Sequence, residues 1–126
     1  MVDIRPLVKE ILNAGMSNTI AIESNGYNLK AVTMAVDWIT FSPKIMIEDC
    51  NKFFDDEDLM GDEVKIVFED GIDTELLKTL PKKLEDRFTY FYIQPCSENF
   101  KPAIQFVKEN PQWSLSIQIH KLLNII

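Results

Sequence analysis

Hydrophobic positions along this chain switch repeatedly between two spacings. Ile4, Leu7, Val8, Ile11 and Leu12 recur three and four apart, the spacing of one helix face, with Asp3 placed to cap that helix and Gly15 to stop it. A β-prone run from Thr19 to Glu23 follows and ends at the turn pair Asn25-Gly26. Leu29 to Met34 is a short helix candidate, and Val36 to Phe41 reads as a second strand closed by Ser42-Pro43. Val64 to Phe68 is a third strand, ending at Asp70-Gly71. Asp73 is placed to cap a helix carrying Leu76, Leu77 and Leu80, which Pro81 is expected to break or restart. Phe88 to Ile93, dense in aromatics, is a fourth strand. Phe100, Ala103, Ile104 and Val107 return to helical spacing until Asn110-Pro111. The fifth strand, Trp113 to about Gln118, alternates strictly: Trp113, Leu115 and Ile117 against Ser114, Ser116 and Gln118. Lys121 to Ile126 reads as a helical turn or a tail.

Strand and helix in alternation predict an α/β fold, with about five parallel strands joined by right-handed helical crossovers. A complete eight-stranded barrel takes about 250 residues. The chain's 126 residues are therefore expected to form one domain, residues 1–126, that is an open sheet or part of a barrel.

Composition narrows the function classes. A hydrophobic fraction of 46% is that of an ordinary globular core. The net charge of -7 argues against general affinity for nucleic acid or anionic membrane. That charge is concentrated between Glu48 and Glu63, where Glu48, Asp49, Asp55, Asp56, Glu57, Asp58, Asp62 and Glu63 face only Lys52. The stretch reads as a solvated loop, and it lacks the D-x-D-x-D-G register of a calcium loop. Asp3 and Arg5 interrupt any early apolar run, so no signal peptide is expected. No apolar run approaches the roughly 20 residues that span a bilayer. Cys50 and Cys96, far apart in sequence, suit a reduced cytoplasmic compartment.

Side chains alternate across a strand, so each strand can be sorted into two faces. Thr19, Ala21 and Glu23 share a face in the first, Trp38, Thr40 and Ser42 in the second, and Tyr90, Tyr92 and Gln94 in the fourth. In the fifth, Ser114, Ser116 and Gln118 share one, joined by His120 if the strand continues. Glu23, Ser42, Gln94, Gln118 and His120 then fall at or just past the C-terminal ends of their strands, the border where parallel α/β proteins build sites. Two readings are open: these groups satisfy backbone amides at strand ends, or together they form a ligand-binding rim. A glycine-rich phosphate loop, H-E-x-x-H and G-x-S-x-G are not found in the sequence. His120, the single histidine, lacks the clustered partners of a zinc site.

The strand-end residues also carry a family pattern. Glu23-Ser24-Asn25-Gly26 resembles the E-T-N-G turn of radical S-adenosylmethionine enzymes of the organic radical activating-enzyme type. Asp37-Trp38-Ile39-Thr40-Phe41-Ser42-Pro43-Lys44 is similar to their D-W-I/V-T-x-S-P-K segment, and Asp62-Glu63-Val64-Lys65-Ile66-Val67 to D-E-L/I/V-K-x-V. Ile93-Gln94-Pro95 and the run Glu109-Asn110-Pro111-Gln112-Trp113-Ser114-Leu115-Ser116-Ile117-Gln118-Ile119-His120-Lys121 resemble the C-terminal part of the 7-carboxy-7-deazaguanine synthase family.

The resemblance implies the C-terminal part of a partial (β/α), TIM-like barrel whose lumen holds S-adenosylmethionine beside a 4Fe–4S cluster, on the route to 7-deazapurines such as queuosine. It implies cofactor contacts from Ser42, Pro43 and Lys44 and from Gln94, Pro95, Cys96 and Ser97, with Glu23 and Asn25 lining the same lumen. His120, Gln118 and the C-terminal carboxylate on Ile126 fall near a purine-like substrate. The family's C-x-x-x-C-x-x-C loop and its G-G-E-P segment are not among these 126 residues, and Cys50 and Cys96 lack the close spacing of cluster ligands. Ser114 stands where the family has arginine. Three readings follow: a truncated radical enzyme, inactive alone; a non-catalytic module that kept the fold to bind a ligand or a protein; or a remnant without function. A sheet cut from a barrel would leave unpaired strand edges, so a homo-oligomer or a protein supplying the first half is expected as partner.

Overall fold

The computed structural model describes residues 5–13, 20–24, 36–43, 59–96 and 100–117. These form α1 (Arg5–Asn13), β1 (Ala21–Ser24), β2 (Trp38–Phe41), β3 (Glu63–Phe68), α2 (Thr74–Leu84), β4 (Tyr90–Pro95), α3 (Phe100–Glu109) and β5 (Ser114–Leu115). The strands make one sheet in the order β1-β2-β3-β4-β5, every neighbouring pair parallel. The α/β fold with five parallel strands expected from the sequence is therefore present. No helix among the described residues is long and apolar enough to cross a membrane.

Register sorts the sheet into two unlike faces. Ile39, Phe41, Val64, Ile66, Phe68, Phe91 and Ile93 bury one face against Leu77, Leu80 and Leu84 of α2 and Ala103 and Phe106 of α3. Burying a leucine- or phenylalanine-sized side chain contributes about 1.5–3 kcal/mol, so this apolar layer dominates stability. The other face carries Glu23, Trp38, Thr40, Glu63, Lys65, Tyr90, Tyr92, Gln94 and Ser114. Parallel sheets are usually apolar on both faces because helices cover both. In this sheet α2 and α3 join one core on one face, as crossovers of a single hand between sequential strands require.

Two aspartates align the N-terminal border. Asp37 accepts the Ile20 backbone N–H through Oδ2 at 2.7 Å, while its own N–H donates to the Ile20 carbonyl at 2.8 Å. Asp62 repeats the device one strand along, accepting the Ile39 N–H at 2.7 Å and donating its N–H to the Ile39 carbonyl at 2.9 Å. The Asp62 carbonyl then receives the N–H groups of Thr89 and Tyr90. Asp62 and Glu63 thus belong to the sheet and not to the solvated loop expected from their acidic neighbours.

Helix α2 runs straight through Pro81, contrary to the break expected there. Asp73 caps it as expected, its side chain accepting the Leu76 N–H at 3.1 Å. Proline removes the N–H that would bond the carbonyl four residues back, which is Leu77. The indole N–H of Trp113 donates to that carbonyl at 3.0 Å. A side chain from β5's entrance replaces the missing helix bond, and Pro81 is itself buried in the core.

β4 and β5 depart most from their expected limits. β4 starts at Tyr90 because Phe88 instead closes α2, donating its N–H to the Leu84 carbonyl and stacking on Phe41. β5 is two residues long and not six. Its ladder ends after Ser116 donates to the Ile93 carbonyl at 2.8 Å. The next bond would need a donor on β4 at Pro95, which has none. Ile117, expected on the apolar side, is 44% exposed. The expected caps Asp3 and Gly15, the turn Asn25-Gly26, the helix Leu29–Met34 and the segment Lys121–Ile126 lie outside the described residues.

Candidate functional site

The polar face and its C-terminal border form the candidate site. Glu23 Oε2 and Lys65 Nζ pair at 2.7 Å, reaching from β1 to β3 over the intervening β2. The Lys65 side chain is 16% exposed and that of Glu23 is 53% exposed. Beneath them, Trp38 Nε1 donates to Thr40 Oγ1 at 3.2 Å, and that hydroxyl donates to Glu63 Oε1 at 2.9 Å. The Trp38 ring stacks on Tyr90, two strands away, with centroids 5.8 Å apart. Lys65 lies in register with Tyr92 and, through it, with Ser114.

Of the residues expected at the rim, six are described. Glu23 is on the polar face. Ser42 is half-buried, with its N–H continuing the ladder to the Ser24 carbonyl at 2.7 Å, and Pro43 is buried. Gln94 is 9% exposed although it lies on the polar face. Pro95 and Cys96 are half-buried, Cys96 is a free thiol, and its N–H donates to the Phe68 carbonyl at 3.1 Å. Lys44, Asn25, Ser97, Gln118, His120 and Ile126 lie outside the described residues.

The described rim residues share a border but not a level. Glu23 is in register with Thr40 and Glu63, whereas Gln94 is in register with Val67, four residues further on. At about 3.3 Å per residue, Gln94 stands roughly 13 Å higher along the strand direction. Stagger of this kind accompanies strand tilt in barrels. Ser42, one residue past Phe41, falls between the two. The rim therefore climbs across the sheet.

Glu63 and Lys65 were not among the residues expected to form the site. The signal was available: the same period-two sorting, applied to Glu63–Phe68, separates Glu63, Lys65 and Val67 from Val64, Ile66 and Phe68. A 4Fe–4S cluster does not fit this donor set, since the chain has two cysteines in all and no group of three or more metal-ligating side chains occurs among the described residues.

Five parallel strands in sequential order, with α2 and α3 on one face and ionisable and hydroxyl groups on the other, define a singly wound α/β protein, the arrangement from which (β/α) barrels are made. In sequence the chain belongs, over the part of their length that it matches, with the 7-carboxy-7-deazaguanine synthases. It is 37% identical over 129 aligned positions to that synthase of Burkholderia multivorans, covering 96% of this chain and 52% of the relative. The Bacteroides thetaiotaomicron synthase is 33% identical over 111 positions, 84% of this chain and 50% of the relative. That of Nitratidesulfovibrio vulgaris is 31% identical over 130 positions. The chain spans about half the length of the curated relatives it matches, in agreement with the C-terminal portion indicated by its motifs. No family model and no solved structure matches it.

Proposed function

We propose that these residues form the later half of the ligand-binding barrel of a radical S-adenosylmethionine enzyme of the 7-carboxy-7-deazaguanine synthase kind, acting in 7-deazapurine (queuosine) biosynthesis in a reduced, cytoplasmic compartment. What carries the reading is the polar face of a sequential parallel sheet in a chain that matches those synthases along most of its own length. Ser42, Pro43 and Lys44 and the segment Gln94, Pro95, Cys96 and Ser97 contact S-adenosylmethionine, with Glu23 and Asn25 beside them. Gln118, His120 and Ile126 meet a flat, purine-like ligand of the carboxylated deazaguanine type. When bound, S-adenosylmethionine supplies the radical-forming sulfonium. The 126 residues bind and orient; a 4Fe–4S cluster would have to be held by thiolates from outside them, on the same polypeptide or on a partner. On their own they are inactive.

Calorimetry tests this directly. S-adenosylmethionine is expected to bind the 126-residue chain, and Ser42→Ala or Gln94→Ala to weaken it about fivefold to tenfold each, the worth of one hydrogen bond. Absence of heat with S-adenosylmethionine and with S-adenosylhomocysteine would sink the reading. The alternative, a non-catalytic module that binds a ligand or a protein, gains if binding occurs and mixing with a cluster-bearing first half of a relative restores no turnover.

A further inference from the structure

We infer that Lys65 seats a carboxylate of the bound small molecule, and that Glu23 occupies that seat in the ligand-free chain; this rests on the polar face being the binding face proposed above. Lys65 is the sole cation on that face among the described residues. Its side chain is 16% exposed, and its partner is the more open group at 53%. The two members of the pair are therefore unequal. The buried stem of Lys65 fixes its ammonium at this place on the face, where an anion is its natural partner, whereas a half-exposed glutamate returns to water at little cost.

The neighbouring carboxylate does not compete for the role. Glu63, two residues before Lys65 on the same face, accepts the Thr40 hydroxyl at 2.9 Å, and that hydroxyl is in turn held by the Trp38 indole at 3.2 Å. The hydroxyl-bearing rings on the face, Tyr90 and Tyr92, offer a hydrogen-bonding phenol but no carboxylate to compete for Lys65. A ligand carboxylate that replaces Glu23 keeps Lys65 paired and frees one exposed side chain. It would arrive in register with Tyr92, the half-buried ring beside Lys65 on β4. Two carboxylates fit this chemistry, the amino-acid carboxylate of S-adenosylmethionine and the 7-carboxyl of a carboxylated deazaguanine.

Calorimetry on the 126-residue chain with two ligand pairs separates the sources: S-adenosylmethionine against its decarboxylated form, and 7-carboxy-7-deazaguanine against 7-deazaguanine. In one pair the carboxylated member is expected to bind at least about tenfold tighter, as one charge-assisted hydrogen bond provides. Glu23→Gln removes the internal competitor and tightens that ligand, while Lys65→Gln erases the preference between the two members. A purely structural ion pair would instead make both variants bind more weakly, so weakening in Glu23→Gln overturns the inference. Binding of both members of each pair with equal affinity overturns it too while leaving the binding face intact. Failure of all four ligands to bind removes both proposals. Because Glu23 is half-exposed, its variant keeps the test decisive even if Lys65→Gln does not fold.

Discussion

Trp113 is 2% exposed, and its indole N–H ends on the Leu77 carbonyl that Pro81 leaves without a helix donor. Trp113→Phe retains an aromatic ring in the core and removes the donor. The expected loss is about 1–3 kcal/mol, the cost of a buried carbonyl left unsatisfied, read as a lower midpoint in urea unfolding with an unchanged slope. Gly61 is constrained as tightly from another side. An added Cβ would lie 2.7 Å from the Phe88 ring and 3.1 Å from Ile39. Neither contact could be read from the chain, because each joins residues far apart in sequence. By contrast, the Asp73 cap and the left-handed turn at Gly71, with φ of 80°, were legible, since both are satisfied within a few residues. Glu63 and Lys65 were legible too, once β3 is sorted by faces.

Elements followed their periodicity wherever one face alone had to be buried. β3 alternates fully between half-buried and buried positions, and α2 buries Leu77 and Leu80 of its expected stripe, whereas α3 buries Ala103 but leaves Ile104 exposed and turns Phe106 into the core instead. β5 shows the limit of the pattern. Its strict alternation predicts six residues, yet a strand lasts only as long as its neighbour offers hydrogen-bonding groups, and Pro95 on β4 withholds one. Pro95→Ala restores that N–H. The ladder is then expected to extend by one step, with the amide of residue 95 protected from hydrogen exchange; an amide exchanging as fast as in an exposed loop would refute this account. The break expected in α2 failed for the same kind of reason, a distant donor compensating a local defect.

Across the whole molecule, the sheet has outer edges at β1 and β5 among the described residues, and relatives about twice as long. Unpaired parallel edges recruit further strands. We therefore expect the 126-residue chain to self-associate, or to pair with a protein supplying the first half, and light scattering showing a monomer at high concentration would count against it. Strand and helix order, the parallel sense of the sheet and the membership of each polar face were determined by the sequence itself, because hydrophobic period and connection length are local properties that burial of one face enforces. The tertiary structure decided which polar groups meet. The reach of Lys65 over β2 to Glu23, the climb of the rim from Glu23 to Gln94 and the rescue of α2 by Trp113 depend on inter-strand register and on packing across the core, and no short stretch of chain encodes either.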